Sequence, residues 1–383
     1  MQITERVKYM KVGIITFQRA DNYGAALQCY ALYKSVESIG VDVEVVDYRC
    51  PYIERAYLGL PNLQKNLLAW SKKAFTRYKN YEHIKIKHRL FDKLRKKIKF
   101  SPEYTRKEIV KNGLDYHLIF TGSDQVWNPT VTNGFDDVYY LNFPGDFVKC
   151  SYAASLGNSN SREYQKEKFS ALLKKLDMIS VREQKASDLI YKISKRKADV
   201  CVDPTLLLSK DEWAQLAAES HCGEGANYIL LYYLDENREL IKIAQFIAEK
   251  YGAKVICCNK NPVSGQNIEW IGDLGPIDFL SLITNAAAVV SSSFHAAVFS
   301  VIFEKQLVAT LHPEKGERTK TLAEICGFSS SIYKDYSDFV QRYNKNARVS
   351  YDYTSLHKAV EASKAFIKNA VETAQRRTKI SER

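Results

Sequence analysis

No stretch of this 383-residue sequence approaches the roughly 20 consecutive apolar residues that a membrane-spanning helix needs. The first apolar run, residues 12–17, is also too short for a secretory signal. The eight cysteines are scattered along the chain and form no CxxC pair. We therefore interpret them as reduced thiols of the core and expect a cytoplasmic protein.

Motifs for common cofactors and metals are missing as well. The loop QRADNYG at residues 18–24 has neither the GxGxxG pattern nor that of a P-loop, so it indicates neither dinucleotide nor Walker-type ATP binding. HExxH is absent, and no His, Asp or Glu cluster has metal-ligand spacing. We expect a protein that uses no cofactor and no metal.

Positive charge is concentrated in one segment. Residues 65–99 contain 13 Lys or Arg and two acidic residues, so most of the formal net charge of +12 lies there. We predict that residues 62–100 form a basic helical excursion, with His88 on its surface. A solvated helix and a helix that contacts an anionic membrane surface both fit this pattern. Nucleic acid is not expected, because the rest of the chain is nearly neutral.

The order of apolar runs predicts an α/β fold with two Rossmann-like domains. Residues 11–17 and 43–48 read as strands, and residues 25–39 between them have apolar residues at helical spacing. A strand, a helix and a second strand in this order predict a parallel, doubly wound sheet. A second series of the same kind follows a polar linker, so we predict domains at 1–207 and 208–383, with a helix closing the second.

The stretch AAAVVSSSFHAAVFSVIF at residues 286–303 is the strongest candidate site in the second domain. It reads as a buried strand, then serines that include Ser292 and Ser293, then His295 where a helix begins. Ligands bind where parallel strands end, and the N-terminus of a helix attracts anions. A histidine there can exchange a proton near neutral pH. A capping or core histidine is the alternative. Lys315 and Arg318, in the loop LHPEKGER, would form an anion clamp or a solvated turn.

Candidates in the first domain share a position at or just after a predicted strand end. An arginine there can bind a carboxylate or phosphate, and small polar residues can line a ligand site. Helix caps, turns and salt bridges are the alternative roles. The residues concerned are Asn22, Tyr23, Gly24, Gly122, Ser123, Asp124, Arg182 and Asp203.

Five motifs in one order resemble the polysaccharide pyruvyl transferases. They are KVGIITFQRADNYGAALQCYAL, FTGSDQVWNP, SVRE, VDPTLLL and SSSFHAAVFSVIFEKQLV, spread over residues 11–327. The resemblance implies two Rossmann-like domains facing across a cleft, as in GT-B glycosyltransferases. It also implies phosphoenolpyruvate as donor and a cell-surface glycan, often lipid-linked, as acceptor. The product would be a pyruvate ketal on a sugar, and no metal would be strictly needed.

The resemblance also implies roles for individual residues. Arg182 matches the arginine of the family's V-R motif, and His295 matches the histidine of its R-x-H motif, where Ser293 replaces the arginine of many members. His295 and Arg182 are the expected catalytic residues. The second domain would hold the donor through Ser292, Ser293, Lys315 and Arg318. The first would hold the acceptor through Asn22, Tyr23, Gly24, Gly122, Ser123, Asp124 and Asp203.

Two other functions remain open. A GT-B glycosyltransferase that uses a nucleotide sugar would share the fold, and Ser293 in place of arginine favours this alternative. A non-catalytic protein that binds a glycan or an anion would bind the donor and release no phosphate.

Overall fold

A computed structural model describes residues 10–57, 71, 81–157, 165–259, 263–312, 316–344 and 348–381. The chain divides into two compact units. Unit 1 comprises Met1–Leu207 and Ala359–Arg383, and unit 2 comprises Leu208–Lys358. The first boundary lies where the sequence placed it. The sequence-based prediction placed the C-terminal residues in the second domain, whereas Ala359–Arg383 group with unit 1.

Unit 1 contains a parallel sheet of seven described strands in the order β3-β2-β1-β4-β5-β6-β7. These strands are β1 (Lys11–Ile15), β2 (Asp42–Tyr48), β3 (Phe100–Tyr104), β4 (Leu118–Thr121), β5 (Val148–Ala154), β6 (Met178–Val181) and β7 (Asp199–Val200). Its first seven described helices are α1 (Tyr23–Glu37), α2 (Pro51–Tyr57), α3 (Tyr81–Arg95), α4 (Arg106–Asn112), α5 (Pro129–Thr132), α6 (Lys166–Leu173) and α7 (Gln184–Ser194). The central strands are apolar and buried, as expected for a sheet covered by helices on both faces.

Unit 2 contains a second parallel sheet, with six described strands in the order β10-β9-β8-β11-β12-β13. These are β8 (Tyr228–Tyr232), β9 (Lys254–Cys257), β10 (Ile268–Trp270), β11 (Ala288–Ser291), β12 (Gln306–Thr310) and β13 (Ile332–Tyr333). The helices are α8 (Lys210–Ala217), α9 (Arg238–Tyr251), α10 (Pro276–Asn285), α11 (Phe294–Ile302), α12 (Glu317–Cys326) and α13 (Tyr336–Arg342).

Helix α14 (Tyr353–Ser381) returns the chain from unit 2 to unit 1. Its Phe366 ring lies 6.4 Å from that of Tyr152 on β5. The hydroxyl of Ser363 accepts a hydrogen bond from the backbone N–H of Val202 at 3.0 Å. From Ala359 onwards, the buried apolar side chains of this helix therefore belong to unit 1. Among the described helices, none is long and apolar enough to cross a membrane.

The strand order determines where each unit can bind a ligand. It reverses between β1 and β4 in unit 1, and between β8 and β11 in unit 2. At such a reversal the loops leave in opposite directions and open a crevice at the carboxyl edge, the edge where all the parallel strands end. In unit 1 the loops there begin at Thr16 and Gly122. In unit 2 they begin at Tyr233 and Ser292.

The predicted basic helix is shorter at its C-terminal end than the sequence indicated. Much of the segment, residues 58–70 and 72–80, lies outside the described residues. Helix α3 ends at Arg95, and by residue 100 the chain forms the edge strand β3. Proline is tolerated on an edge strand because its missing N–H has no partner to lose, which explains Pro102 in this strand.

Candidate functional site

Arg182 is the centre of a buried ionic cluster at the carboxyl edge of unit 1. It follows β6 directly and is only 4% exposed. Its guanidinium forms an ion pair with Asp203, and it lies 3.8 Å from a carboxylate oxygen of Glu183 and 3.9 Å from one of Asp124. Burial lowers the pKa of Arg182, but the three carboxylates raise it further, so the net shift is above its ordinary value. The arginine is therefore a permanent cation.

Asp203 has a structural role in this cluster. One carboxylate oxygen accepts from the backbone N–H of Thr205 at 3.1 Å and from its hydroxyl at 2.7 Å, which caps the short 3-10 turn Pro204–Leu206. The other oxygen pairs with Arg182. The side chain is buried. The structure therefore places Asp203 beneath the surface, in the turn-capping role that the sequence left open.

Glu183 also belongs to this cluster, although it was not among the site residues predicted from the sequence. It is buried, and the hydroxyl of Ser155, just after β5, donates to it at 2.5 Å. The backbone of Ser155 in turn donates to the carbonyl of Asp124 at 2.9 Å. These bonds fix the loops after β4, β5 and β6 to one another. The SVRE motif was the available signal, because its glutamate directly follows the strand-end arginine.

The loop after β1 is held by residues of α3. Asp21 is buried, and Arg95 donates to it at 2.6 Å, while His88 Nδ1 lies 2.9 Å from its other oxygen. His88 is therefore half-buried and paired, which corrects its expected surface position. Arg95 also donates to the carbonyl of Gln18 at 3.0 Å. Part of the basic segment thus stabilises a loop at the carboxyl edge.

The predicted acceptor residues of unit 1 divide into two groups. Asn22 and Asp124 remain partly exposed, and Asn22 also caps α1 by accepting from the backbone of Ala25 at 3.2 Å. Tyr23, Gly24, Gly122 and Ser123 are buried. The Tyr23 ring stacks on Phe91 of α3 at 5.7 Å, and the Ser123 hydroxyl donates to the carbonyl of Ala153 at 3.1 Å. These four buried residues pack beneath the carboxyl edge of the sheet and support its surface.

In unit 2, serine side chains shape the junction between β11 and α11. The hydroxyl of Ser291 donates to the carbonyl of Tyr232 and accepts from the backbone N–H of Ser293 at 2.9 Å. The Ser293 hydroxyl caps α11 by accepting from the backbone of Ala296 at 3.5 Å. Ser292 is buried beside them. His295 therefore occupies the first turn of a capped helix at the reversal of strand order.

His295 has an aromatic and a cationic neighbour. It is 8% exposed, and its ring lies edge-on to that of Phe294 with centroids 5.1 Å apart. The guanidinium of Arg318, from the start of α12, lies 5.5 Å from the Phe294 centroid. One aromatic ring thus contacts both the histidine and a buried arginine. Lys315, the other predicted cation, lies outside the described residues.

Further polar groups lie at the same edge: His312, which the sequence offers as a residue that could line the site, and Asn259 and Thr310, which it does not single out. His312 Nε2 is 2.6 Å from Asp235, and this contact joins the loops after β12 and β8. Asn259 accepts from the backbone of Tyr233 at 2.9 Å. The side-chain nitrogen of Asn259 and the hydroxyl of Thr310 are buried and have no hydrogen-bond partner among the described residues. Each such atom costs about 1–3 kcal/mol when unsatisfied, so a ligand that reaches them gains from their pairing.

Among the described residues there is no group of three or more His, Cys, Asp or Glu side chains that could hold a metal ion. The described edge of unit 2 instead offers cations, hydroxyls and helix N–H groups. These are groups that bind anionic oxygen atoms.

The fold is similar to that of enzymes that act on nucleotide sugars. The UDP-N-acetylglucosamine 2-epimerase of Rickettsia bellii matches with a TM-score of 0.50 and 11% identity, over 96% of this chain and 97% of that chain. The UDP-GlcNAc 2-epimerase of Methanocaldococcus jannaschii, in complex with UDP-GlcNAc and UDP, matches with a TM-score of 0.50 and 14% identity, over 92% of this chain and 99% of that chain. At such identities the likeness shows the fold alone, and it confirms an α/β, GT-B-like fold with two parallel sheets.

No protein with a curated function matches this chain in sequence. A family model does match: that of polysaccharide pyruvyl transferase, over residues 22–312. The matched span includes Arg182, Asp203 and His295, and it covers well over half of the chain. This match confirms the resemblance seen in the ordered motifs. The chain belongs to the polysaccharide pyruvyl transferase family, and it is an enzyme of that family.

Proposed function

We propose that this enzyme transfers a pyruvyl group from phosphoenolpyruvate to a sugar of a cell-surface polysaccharide or of its lipid-linked precursor. The observation that carries the proposal is the grouping of His295, Phe294 and Arg318 at the capped N-terminus of α11. Phosphoenolpyruvate has a carboxylate, a phosphate and a carbon that must be protonated. The grouping provides a proton carrier, a cation and helix N–H groups for these three functions.

The reaction is then a proton transfer, the addition of one acceptor hydroxyl and the displacement of phosphate by a second. Protonated His295 gives its proton to the methylene carbon, and the adjacent carbon becomes an oxocarbenium-like centre. An acceptor hydroxyl bonds to that centre, and its proton passes to a phosphate oxygen, so that the phosphate later leaves as hydrogen phosphate. A second hydroxyl bonds to the same carbon while the carbon–oxygen bond to phosphate breaks, and the phosphate leaves with the electron pair. The neutral imidazole of His295 takes the proton of the second hydroxyl, which restores the starting state.

We assign the donor to unit 2, with Ser292, Ser293, Arg318 and Lys315 around it, and the acceptor to unit 1. In unit 1, Asn22 and Asp124 have the exposure that contact with a sugar requires. Arg182 is surrounded by carboxylates, so we assign it to positioning Asp124 rather than to binding a donor anion.

The decisive experiment measures phosphate release from phosphoenolpyruvate in the presence of lipid-linked saccharides. His295→Asn should lower turnover by about 10²–10⁴-fold, the usual contribution of a general acid–base group. His221→Asn is the matched control, because His221 is largely exposed and lies before β8. Full turnover by His295→Asn would show that another group carries the proton.

A nucleotide sugar is the competing donor, favoured by Ser293 in place of the family arginine and by the UDP-bound relative of similar fold. Thermal melting separates the two donors. A ligand at about 100 times its Kd adds roughly 2.7 kcal/mol to the free energy of unfolding, so the true donor should raise Tm clearly. If UDP raises Tm and phosphoenolpyruvate does not, the enzyme transfers a glycosyl group and not a pyruvyl group. Binding of phosphoenolpyruvate with no phosphate release would indicate a non-catalytic binding protein.

We also propose a cytoplasmic location with peripheral contact to an anionic membrane surface. The basic residues on or just after α3 that are exposed or only partly buried are Lys85, Lys87, Arg89, Lys93, Lys96, Lys97 and Lys99. The exposed Tyr81 and Ile86 lie on the same helix. Each cation near an anionic surface contributes about 1 kcal/mol, and a lipid-linked acceptor would be presented there.

A further inference from the structure

A cavity on unit 2 lies outside the loops that carry His295, Arg318 and Asn259. It has a volume of about 500 Å³ and runs along α9. Its walls include Gln245, Phe246 and Glu249 of the helix, Asn267 before β10 and Tyr336 of α13. The volume falls within the range of about 300–1,000 Å³ that is typical of small-molecule sites.

Two amide side chains at the wall of this cavity donate hydrogen bonds to backbone carbonyls. The amide nitrogen of Gln245 donates to the carbonyl of Gln266 at 3.2 Å, and that of Asn267 donates to the carbonyl of Ala253 at 2.8 Å. No hydrogen bond within the described residues reaches the side-chain oxygen of Gln245 or of Asn267. Asn267 is exposed and Gln245 partly exposed, so each oxygen is an acceptor that water or a ligand hydroxyl can pair with.

The apolar walls are aromatic. The rings of Phe246 and Tyr336 lie 6.4 Å apart at 76°, and both belong to a cluster around Phe339. Lys242 and Glu249 add one charge of each sign, and Lys242 is already paired with Glu239 at 2.9 Å. Lys242 is the one cation that lines this cavity among the described residues, and Glu249 balances it, so a strongly anionic ligand is not favoured. The walls suit an uncharged ligand with many hydroxyl donors and an apolar face.

We propose that this cavity binds a saccharide segment, as a second site for the polysaccharide acceptor apart from the site of pyruvyl transfer. The identity of the ligand rests on the proposed function. Hydroxyls of the sugar donate to the oxygens of Gln245 and Asn267, and its C–H face packs on Tyr336. When one part of a polysaccharide is bound at this second site, the effective concentration of its other sugars at the site of pyruvyl transfer rises, even when each contact is weak.

Calorimetric titration of the intact protein with maltotetraose, cellotetraose, laminaritetraose and chitotetraose tests the proposal. At least one should bind at millimolar concentration. Gln245→Met should weaken that binding roughly fivefold through loss of one acceptor, and Tyr336→Ala about tenfold through loss of the aromatic face. Gln341→Met is the matched control, since Gln341 is exposed on α13 and does not line the cavity. Unchanged thermal melting of Gln245→Met excludes a folding defect.

The outcomes separate this proposal from the proposed function. Absence of tetraose binding, or binding that Gln245→Met leaves unchanged, overturns the second site, even if phosphoenolpyruvate still releases phosphate. Tetraose binding that persists in His295→Asn and weakens in Gln245→Met supports the site, whatever the donor. With a long acceptor, Gln245→Met should raise KM and leave kcat unchanged, and with a monosaccharide it should change neither.

Discussion

Replacement of Arg182 by methionine tests the ionic cluster of unit 1, because it removes one cation and leaves three carboxylates behind. At about 4 Å and an effective dielectric constant of about 20, each carboxylate gains roughly 4 kcal/mol of gross attraction from the arginine. Loss of solvation offsets most of this gain. Removal of one partner from a buried ion pair typically costs about 3–5 kcal/mol, and we expect a value in this range for Arg182→Met.

The measurement is urea unfolding combined with hydrogen exchange, which reports the opening of each unit separately. Peptides from β4, β5 and β6 should lose protection, whereas peptides from unit 2 should not. Arg342→Met is the control, because the side chains of Arg342 and its partner Asp338 are 41% and 30% exposed, and pairs open to solvent contribute about 0–1 kcal/mol. A loss below about 1 kcal/mol would refute the reasoning.

Three further predictions follow from single groups. Arg318→Met should lower kcat/KM for phosphoenolpyruvate by at least tenfold if a charge-assisted hydrogen bond of about 1.5–3 kcal/mol is lost, and an unchanged value would remove Arg318 from donor binding. Burial raises the pKa of the Cys29 thiol to about 12. The free energy of unfolding that the buried thiol contributes should therefore be constant below pH 9 and fall between pH 9 and 12. The variant Cys29→Ser should lose this fall. Vesicles with anionic lipid should retain the protein at low salt, and the double variant Lys93→Glu, Lys97→Glu should bind them less. Equal binding by the unmodified protein and the double variant would refute membrane contact through this segment.

Much of the fold could be predicted because local sequence determines it. The apolar run before Gln18 and the helical spacing after Gly24 gave β1 and α1 within a few residues of their observed bounds. Strand β3 was missed because FSPEY has polar residues and a proline, without the apolar alternation of a buried strand. Helix α14 was assigned to the wrong side of the domain boundary because its apolar stripe indicates burial but does not indicate the sheet that buries it.

The candidate site could be predicted as a set of strand ends but not as a set of contacts. His295 was found because a strand, serines and a helix follow one another in sequence. The pairing of Asp21 with Arg95 joins residues 74 positions apart, and no local pattern reports it. Asn259 was missed because a single polar residue after a strand usually ends a turn, and only the structure shows that its side-chain nitrogen is buried without a partner among the described residues.

The return of α14 to unit 1 has a consequence for the order in which the protein folds during synthesis. Residues 208–358 emerge from the ribosome before the side chains of Phe366, Ile367 and Ala370, which are buried in unit 1. The second unit can therefore close while the first still lacks part of its core. Until the last segment is made, the surface that it covers stays open to chaperones and proteases.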